Sequence, residues 1–92
     1  MTYTLEKATP NAVIGRLVGS GEPFIAIAVS GEYLLAVSLD GGKYATWAYG
    51  PTNYGAGVSV FWGTYFDVAA YADAYGAFRA ATLDFERRTG RA

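Results

Sequence analysis

The sequence predicts an α+β fold: an antiparallel β-meander of four to five strands with a long amphipathic C-terminal helix packed on one face. Between residues 24 and 66, short runs rich in Ile, Val and aromatic residues alternate with glycine-containing turns, as in strands joined by hairpins. Residues 67–89 instead hold seven alanines and apolar side chains at helical spacing. With 92 residues, the chain has the length of a single domain, which we expect to span 1–92.

The N-terminal third allows two interpretations. Residues 2–6 are predicted to form a short edge strand. Thr9 and Pro10 suit the start of a helix over 10–18, with apolar side chains following at helical spacing. Gly15 and the β-branched residues of the same segment favour a strand instead. A short N-terminal helix and a strand therefore both remain open for residues 10–18.

The middle of the chain predicts four strands, at residues 24–29, 33–39, 43–49 and 58–66. Ser30-Gly31-Glu32 and Asp40-Gly41-Gly42 are predicted hairpin turns, because glycine readily adopts the positive φ of such turns. Strict alternation along the last strand divides its side chains between two faces. One face carries Val58, Val60, Trp62, Thr64 and Phe66, and the other carries Ser59, Phe61, Gly63 and Tyr65.

The C-terminal segment predicts a helix that begins after Asp67 as its cap and ends at Gly90. Asp84 and Arg88 are spaced as an ion pair on the helix surface. The predicted buried stripe consists of Val68, Tyr71, Tyr75, Phe78, Thr82 and Phe85. The predicted outer face consists of Asp73, Ala77, Ala80 and Asp84.

The composition argues against several classes of function. The chain has no histidine and no cysteine, and most of its carboxylates fall at turns, caps or the outer helix face, so we expect no catalytic site, metal or cofactor. A net charge of −1 does not favour a nucleic-acid partner. No apolar run is long enough to cross a bilayer, and residues 1–7 lack the pattern of a signal peptide. We therefore expect a cytoplasmic protein that is not an enzyme.

Aromatic residues are the unusual feature of the composition. The chain contains eight tyrosines, and tyrosine is enriched at protein interfaces. A single helix covers only one face of a sheet, so the other face is covered by the N-terminal segment or offered to a partner. The candidate interface residues are Trp47, Tyr49, Tyr54, Phe61 and Tyr65.

Residues 58–90 resemble small proteins of phages and mobile elements, including those of the anti-CRISPR kind. The likeness lies in Gly63-Thr64-Tyr65-Phe66-Asp67, followed by an Ala-rich helix ending in Phe85-Glu86-Arg87-Arg88. It concerns size and strand–helix plan and carries over no functional residue. It implies an inhibitor that blocks a host defence complex by direct binding, in the cytoplasm of the host.

The sequence thus predicts a protein-binding module whose partner is another protein or protein complex. One alternative is a small-molecule or nucleotide-binding accessory domain that uses the glycine-rich residues 50–57. This segment lacks the Lys-Ser/Thr ending of a phosphate-binding loop and leads into a strand. A second alternative is a structural homo-oligomer. Low charge and many aromatic residues also predict a homodimer at micromolar concentration.

Overall fold

Six antiparallel strands and a C-terminal helix follow one another along the chain. The computed structural model describes the backbone of residues 2–6, 15–19, 22–51 and 57–90, and the side chains of residues 17, 22–50 and 59–90. The strands are β1 (Thr2–Glu6), β2 (Gly15–Gly19), β3 (Phe24–Ser30), β4 (Tyr33–Ser38), β5 (Lys43–Pro51) and β6 (Gly57–Asp67). A 3-10 turn (Val68–Ala70) leads to helix α1 (Ala74–Thr89).

The strands form a closed barrel in which each strand pairs with its neighbour in the sequence and β1 pairs with β6. The predicted α+β class, with an antiparallel meander and a helix packed on one side, is confirmed. The structure has six strands where about four to five were predicted, because residues 15–19, left open between helix and strand, form a strand that pairs with both β1 and β3. β1 is not an edge strand, since Thr2 is opposite Ser59 and Thr4 is opposite Gly57. The helix considered from residue 10 falls partly on residues 10–14, which lie outside the described residues.

The barrel interior is filled by a few large rings set against small side chains. Trp47 and Phe24 are 1% and 2% exposed, and their rings meet edge to face with centroids 4.9 Å apart. Alanines on neighbouring strands leave room for these rings, as close packing requires. The buried cluster consists of Leu17, Phe24, Ala26, Leu34, Ala36, Ala45, Trp47 and Val60, with Tyr49 packed against it.

A second apolar cluster joins the outside of the barrel to α1. Its buried members are Leu35, Ala81 and Phe85, and Ile27, Ala28, Tyr33, Tyr44 and Phe66 pack around them. The face of the helix that points to the barrel carries Ala77, Ala81 and Phe85. Tyr75 and Phe78, predicted as part of the buried stripe, are 64% and 37% exposed. The predicted stripe is therefore correct at Phe85 and wrong at Tyr75 and Phe78, because the helix approaches the sheet through the small side chains of Ala77 and Ala81.

The start of the helix also differs from the prediction. Asp67 makes no side-chain capping hydrogen bond and precedes the 3-10 turn. The cap of α1 is Asp73, whose Oδ1 accepts a hydrogen bond of 2.8 Å from the backbone N–H of Gly76. A carboxylate at this position also suits the positive end of the helix dipole. Gly90, the predicted stop, ends the helix in the left-handed conformation with φ of 77°.

A β-bulge in β6 breaks the strict alternation that the sequence predicts for this strand. The register moves by one residue between Thr46 opposite Thr64 and Ala48 opposite Phe61. Two residues of β6, Trp62 and Gly63, therefore lie opposite Trp47, as in a bulge. Beyond it, Phe66 packs under the helix on the outside of the barrel. The prediction that Phe61 and Tyr65 share a face is wrong, because the extra residue reverses the order of the faces.

Candidate functional site

The bulge carries two neighbouring aromatic side chains, Phe61 and Trp62, which we call the bulge pair. Their rings meet edge to face at 5.1 Å, and the side chains are 42% and 75% exposed. Trp62 has φ of 54°, in the left-handed region, and is the only residue other than glycine with positive φ among those the structure describes. A bulky residue rarely adopts this conformation, and such outliers concentrate at functional sites.

Gly63 explains why the bulge lies where it does. A Cβ atom at Gly63 would overlap atoms Cδ1 and Nε1 of the Trp47 ring. Only glycine leaves space for the indole to pass under β6 and fill the barrel. The indole Nε1–H of Trp47 donates a hydrogen bond of 3.3 Å to the hydroxyl of Tyr65. The position of the Trp47 indole inside the barrel and the bulged backbone of β6 at Gly63 therefore depend on each other.

Arg88 on α1 supports the bulge from outside. Its Nη1 donates a 2.6 Å hydrogen bond to the backbone carbonyl of Trp62, and its Nη2 donates to Thr64 Oγ1 at 2.9 Å. A guanidinium presents several donors in a fixed plane, which suits it to hold two acceptors at once. The helix thereby fixes the backbone of Trp62, the most exposed aromatic residue among those whose side chains the structure describes.

Asp84 orients Arg88 and connects it to the next strand. Asp84 Oδ2 accepts hydrogen bonds from Arg88 Nε at 2.9 Å and from Thr46 Oγ1 at 2.6 Å, and Oδ1 accepts from Arg87 at 2.9 Å. Burial raises the pKa of this carboxyl, but the hydrogen bonds from Thr46, Arg87 and Arg88 outweigh burial and hold the pKa below its ordinary value. Asp84 is therefore charged near neutral pH and joins helix to strand.

The candidate interface residues divide into separate environments. Trp47 is 1% exposed inside the barrel, so its expected place on an exposed face is corrected: β5 turns its indole inward, where Gly63 leaves space. Tyr49 is partly buried against the same cluster. Phe61 and Tyr65 are 42% and 47% exposed. Tyr54 lies outside the described residues.

Sequence reasoning did not single out Trp62 or Arg88 as functional residues. The Asp84–Arg88 spacing predicted only a surface ion pair, and the structure joins that pair to Thr46, Thr64 and the carbonyl of Trp62. The adjacent bulky and glycine residues, Trp62-Gly63, inside a strand pattern were the available signal, because an isolated glycine there often marks a bulge.

A second surface feature is an open groove between α1 and strands β3 and β4, which we call the helix groove. It has a volume of about 600 Å³. Its lining consists of Ile27, Ala28, Leu35, Phe78, Thr82, Phe85 and Glu86. The groove is mainly apolar, and its polar side chains, Thr82 and Glu86, both come from the helix.

No group of three or more Asp, Glu, His or Cys side chains is placed to hold a metal ion in the part of the chain that the structure describes. Within that same part, no helix has the length and apolar character needed to cross a membrane.

Comparison of the chain with protein-family models, with curated proteins and with solved structures found no match.

Proposed function

We propose that this chain is a non-enzymatic protein-binding module and that the bulge pair is its main contact with the partner. The observation that carries the proposal is the position of Trp62, which is 75% exposed on a bulge whose backbone conformation is unfavourable for tryptophan. Exposed apolar rings lose contact with water when a partner covers them, and tryptophan is among the residues that contribute most to binding energy.

The support from α1 adds to this argument. Arg88 donates a hydrogen bond to the Trp62 carbonyl, and Asp84 accepts one from Arg88. The backbone that carries Trp62 is therefore fixed by contacts with α1. A side chain already held in its bound position loses less entropy on association. The partner expected from this chemistry is a protein with an apolar pocket that accepts an indole ring.

The proposed partner is a host defence complex that the chain blocks by direct binding. This part of the proposal is supported by the small size of the chain and by the resemblance of residues 58–90 to phage proteins of the anti-CRISPR kind. It places the chain in the cytoplasm of the host. Expression of the chain in a bacterium with an active defence system should restore phage infection.

The decisive experiment compares Trp62→Gly with the wild type in affinity capture from a host lysate. Glycine adopts positive φ freely, so the free energy of unfolding should stay within about 1 kcal/mol of the wild type or rise. Partner capture should fall more than about tenfold, because truncating a central tryptophan anchor costs 2 kcal/mol or more.

Leu83→Ala is the matched control, since Leu83 is 56% exposed on α1 and is not part of the bulge pair. Its capture should equal that of the wild type. Equal capture by Trp62→Gly and the wild type would contradict the role of the bulge pair. If Trp62→Gly also failed to restore phage infection, this result would connect the contact made by the bulge pair with inhibition of the defence system.

The two alternative functions, nucleotide binding and a structural homo-oligomer, require separate tests. Of the glycine-rich segment 50–57, residues 52–56 lie outside the described residues, so nucleotide binding there stays a prediction that a titration with ATP would check. The structural homo-oligomer is treated with self-association in the Discussion.

A further inference from the structure

The last turn of α1 places positive charge beside the bulge pair. It carries two basic side chains, Arg87 and Arg88, and Arg88 donates hydrogen bonds to the bulged strand. The carboxylate next to them is Asp84, which pairs with both. Strands β5 and β6 have one carboxylate between them, Asp67, and it is the last residue of β6. Two guanidinium groups and one carboxylate leave one net positive charge at this place.

The positive charge faces solvent, whereas the negative charge is largely covered. The side chain of Asp84 is 12% exposed, and that of Arg87 is 75% exposed. Arg87 Nη2 donates a hydrogen bond of 2.9 Å to Asp84 Oδ1, which orients the guanidinium. Because a guanidinium has five N–H donors, one bond to Asp84 leaves donors for a second carboxylate.

Arg88 connects this charge to the indole of the bulge pair. It donates one hydrogen bond to Asp84 and another to the carbonyl of Trp62, so a continuous series of hydrogen bonds joins Arg87 to Trp62. A protein that covers the indole therefore also approaches the guanidinium of Arg87. Loss of water from a charged group is unfavourable unless the partner supplies an opposite charge.

The charge is a local feature and not a property of the whole chain. The net charge of the chain is −1, so the chain as a whole does not attract anionic partners. Glu86 is next to Arg87 in the sequence but lines the helix groove, between α1 and strands β3 and β4. Tryptophan and arginine are also the residue types that contribute most often to binding energy at interfaces.

We propose that the partner surface around the pocket for Trp62 carries aspartate or glutamate side chains, one of which pairs with Arg87. This inference rests on the proposed function and specifies its partner as a protein with an acidic surface. Opposite charges at the two surfaces then orient the proteins as they approach each other.

The first experiment measures the charge around Trp62 in the purified chain. The chain has two tryptophans, and Trp47 is 1% exposed, so soluble quenchers act mainly on the fluorescence of Trp62. At constant ionic strength, iodide should quench the wild type more strongly than Arg87→Gln, caesium should quench it less strongly, and neutral acrylamide should quench both equally. Arg79→Gln is the matched control, because Arg79 lies about two helical turns earlier, beside Tyr75 and Leu83. Equal iodide quenching of the wild type and Arg87→Gln would overturn the proposal.

The second experiment compares capture from nuclease-treated host lysate in 50 mM and 500 mM NaCl. At the lower salt concentration, Arg87→Glu should reduce capture about tenfold, because like charges then face each other across the interface. Arg87→Gln keeps a hydrogen-bond donor for Asp84 and should reduce capture several-fold. Both losses should become smaller in 500 mM NaCl, which screens the charges. Arg79→Glu should capture as much as the wild type.

Trp62→Gly separates this inference from the proposed function. If Trp62→Gly loses capture while both variants of Arg87 retain it at low salt, the acidic partner is excluded and the protein-binding function stands. If the variants of both residues capture as much as the wild type, the proposed function fails as well. Loss of capture by the wild type on nuclease treatment would indicate a contact through nucleic acid and would also overturn the proposal.

Discussion

At the scale of single residues, the Trp47 side chain restricts which residue type fits at Gly63. The indole of Trp47 occupies the space that a Cβ atom at Gly63 would need. The same indole packs edge to face against Phe24 and against Tyr65. An interior this closely filled tolerates little added volume.

Gly63→Ala should therefore lower the free energy of unfolding by about 1–3 kcal/mol, as expected for an overpacked core. Chemical denaturation followed by tryptophan fluorescence measures the change. Trp47→Phe makes a smaller ring, so the double variant should lose less than the sum of the two single losses. Strict additivity would show that the two residues are not in conflict.

Individual residues also show what could be predicted from the sequence. Phe61 and Tyr65 were predicted as candidate contacts and are exposed, whereas Trp47 was predicted with them and is buried. Hydrophobicity and strand alternation cannot separate these cases. Which way the side chains of β6 face depends on the one extra residue of the bulge at Trp62-Gly63. The position of that bulge is defined only by the pairing of β6 with β5.

At the scale of elements, α1 is bound to the barrel by two kinds of contact. Ala77, Ala81 and Phe85 bury an apolar face, and Asp84 and Arg88 reach polar groups on β5 and β6. The helix and its end at Gly90 were predictable from propensity and from a stop signal. The orientation of the helix could not be predicted in the same way. A hydrophobicity pattern ranks large apolar residues above alanine, whereas close approach of a helix to a sheet favours alanine.

The two phenylalanines of α1 should differ in their effect on stability. Phe85 is 7% exposed, so Phe85→Ala should lower the free energy of unfolding by about 3–5 kcal/mol. Phe78 is 37% exposed and keeps one edge-to-face contact, with Tyr44, so Phe78→Ala should lower it by less than about 2 kcal/mol. Thermal melting of both variants compares them, and an equal loss would contradict the observed orientation of the helix.

Asp84 should make the docking of α1 depend on pH. Its pKa is lowered in the folded state, so the stability it contributes is present above the ordinary value of 3.8 and is lost as the pH falls through the folded value. The wild type should therefore lose stability below about pH 4. Urea denaturation at pH 7 and at pH 3 measures the loss.

Asp84→Asn provides the comparison. This variant should be less stable than the wild type at pH 7 by about 1.5–3 kcal/mol, the range for hydrogen bonds to a charged group. The difference between variant and wild type should shrink at pH 3, because the carboxyl of the unfolded chain, with its ordinary pKa of 3.8, is then mostly protonated and its ionisation favours the folded state less. A constant difference at both pH values would contradict the role assigned to the charge.

At the scale of the whole molecule, self-association is the main open prediction. The chain has a net charge of −1 and exposes Phe61, Trp62 and Tyr65. Low charge reduces repulsion between copies, and a twofold dimer is the commonest oligomer. We expect a homodimer at micromolar concentration, measured by sedimentation equilibrium. Its contact is expected at the bulge pair, so the dimer and the complex with the proposed partner would exclude each other.

The variants of this experiment locate the contact. Phe61→Ala should dissociate the dimer while leaving the circular dichroism spectrum unchanged, and Leu83→Ala should have no effect. A mass near that of one chain over the whole concentration range would contradict the homodimer. Closure of the barrel by β1 and β6 leaves fewer unpaired sheet edges, which favour association in open sheets, among the described strands.

The pairing of β1 with β6 also determines the order in which the molecule can assemble during translation. The hairpins between β3 and β6 join neighbouring segments and can form as soon as each strand has left the ribosome. Closure joins Thr2 to Ser59, so the first strand waits until nearly two thirds of the chain has been synthesised. Long-range closure of this kind is slow compared with hairpin formation. We therefore expect docking of the first strand to complete the closure of the barrel and to be the slow step in refolding.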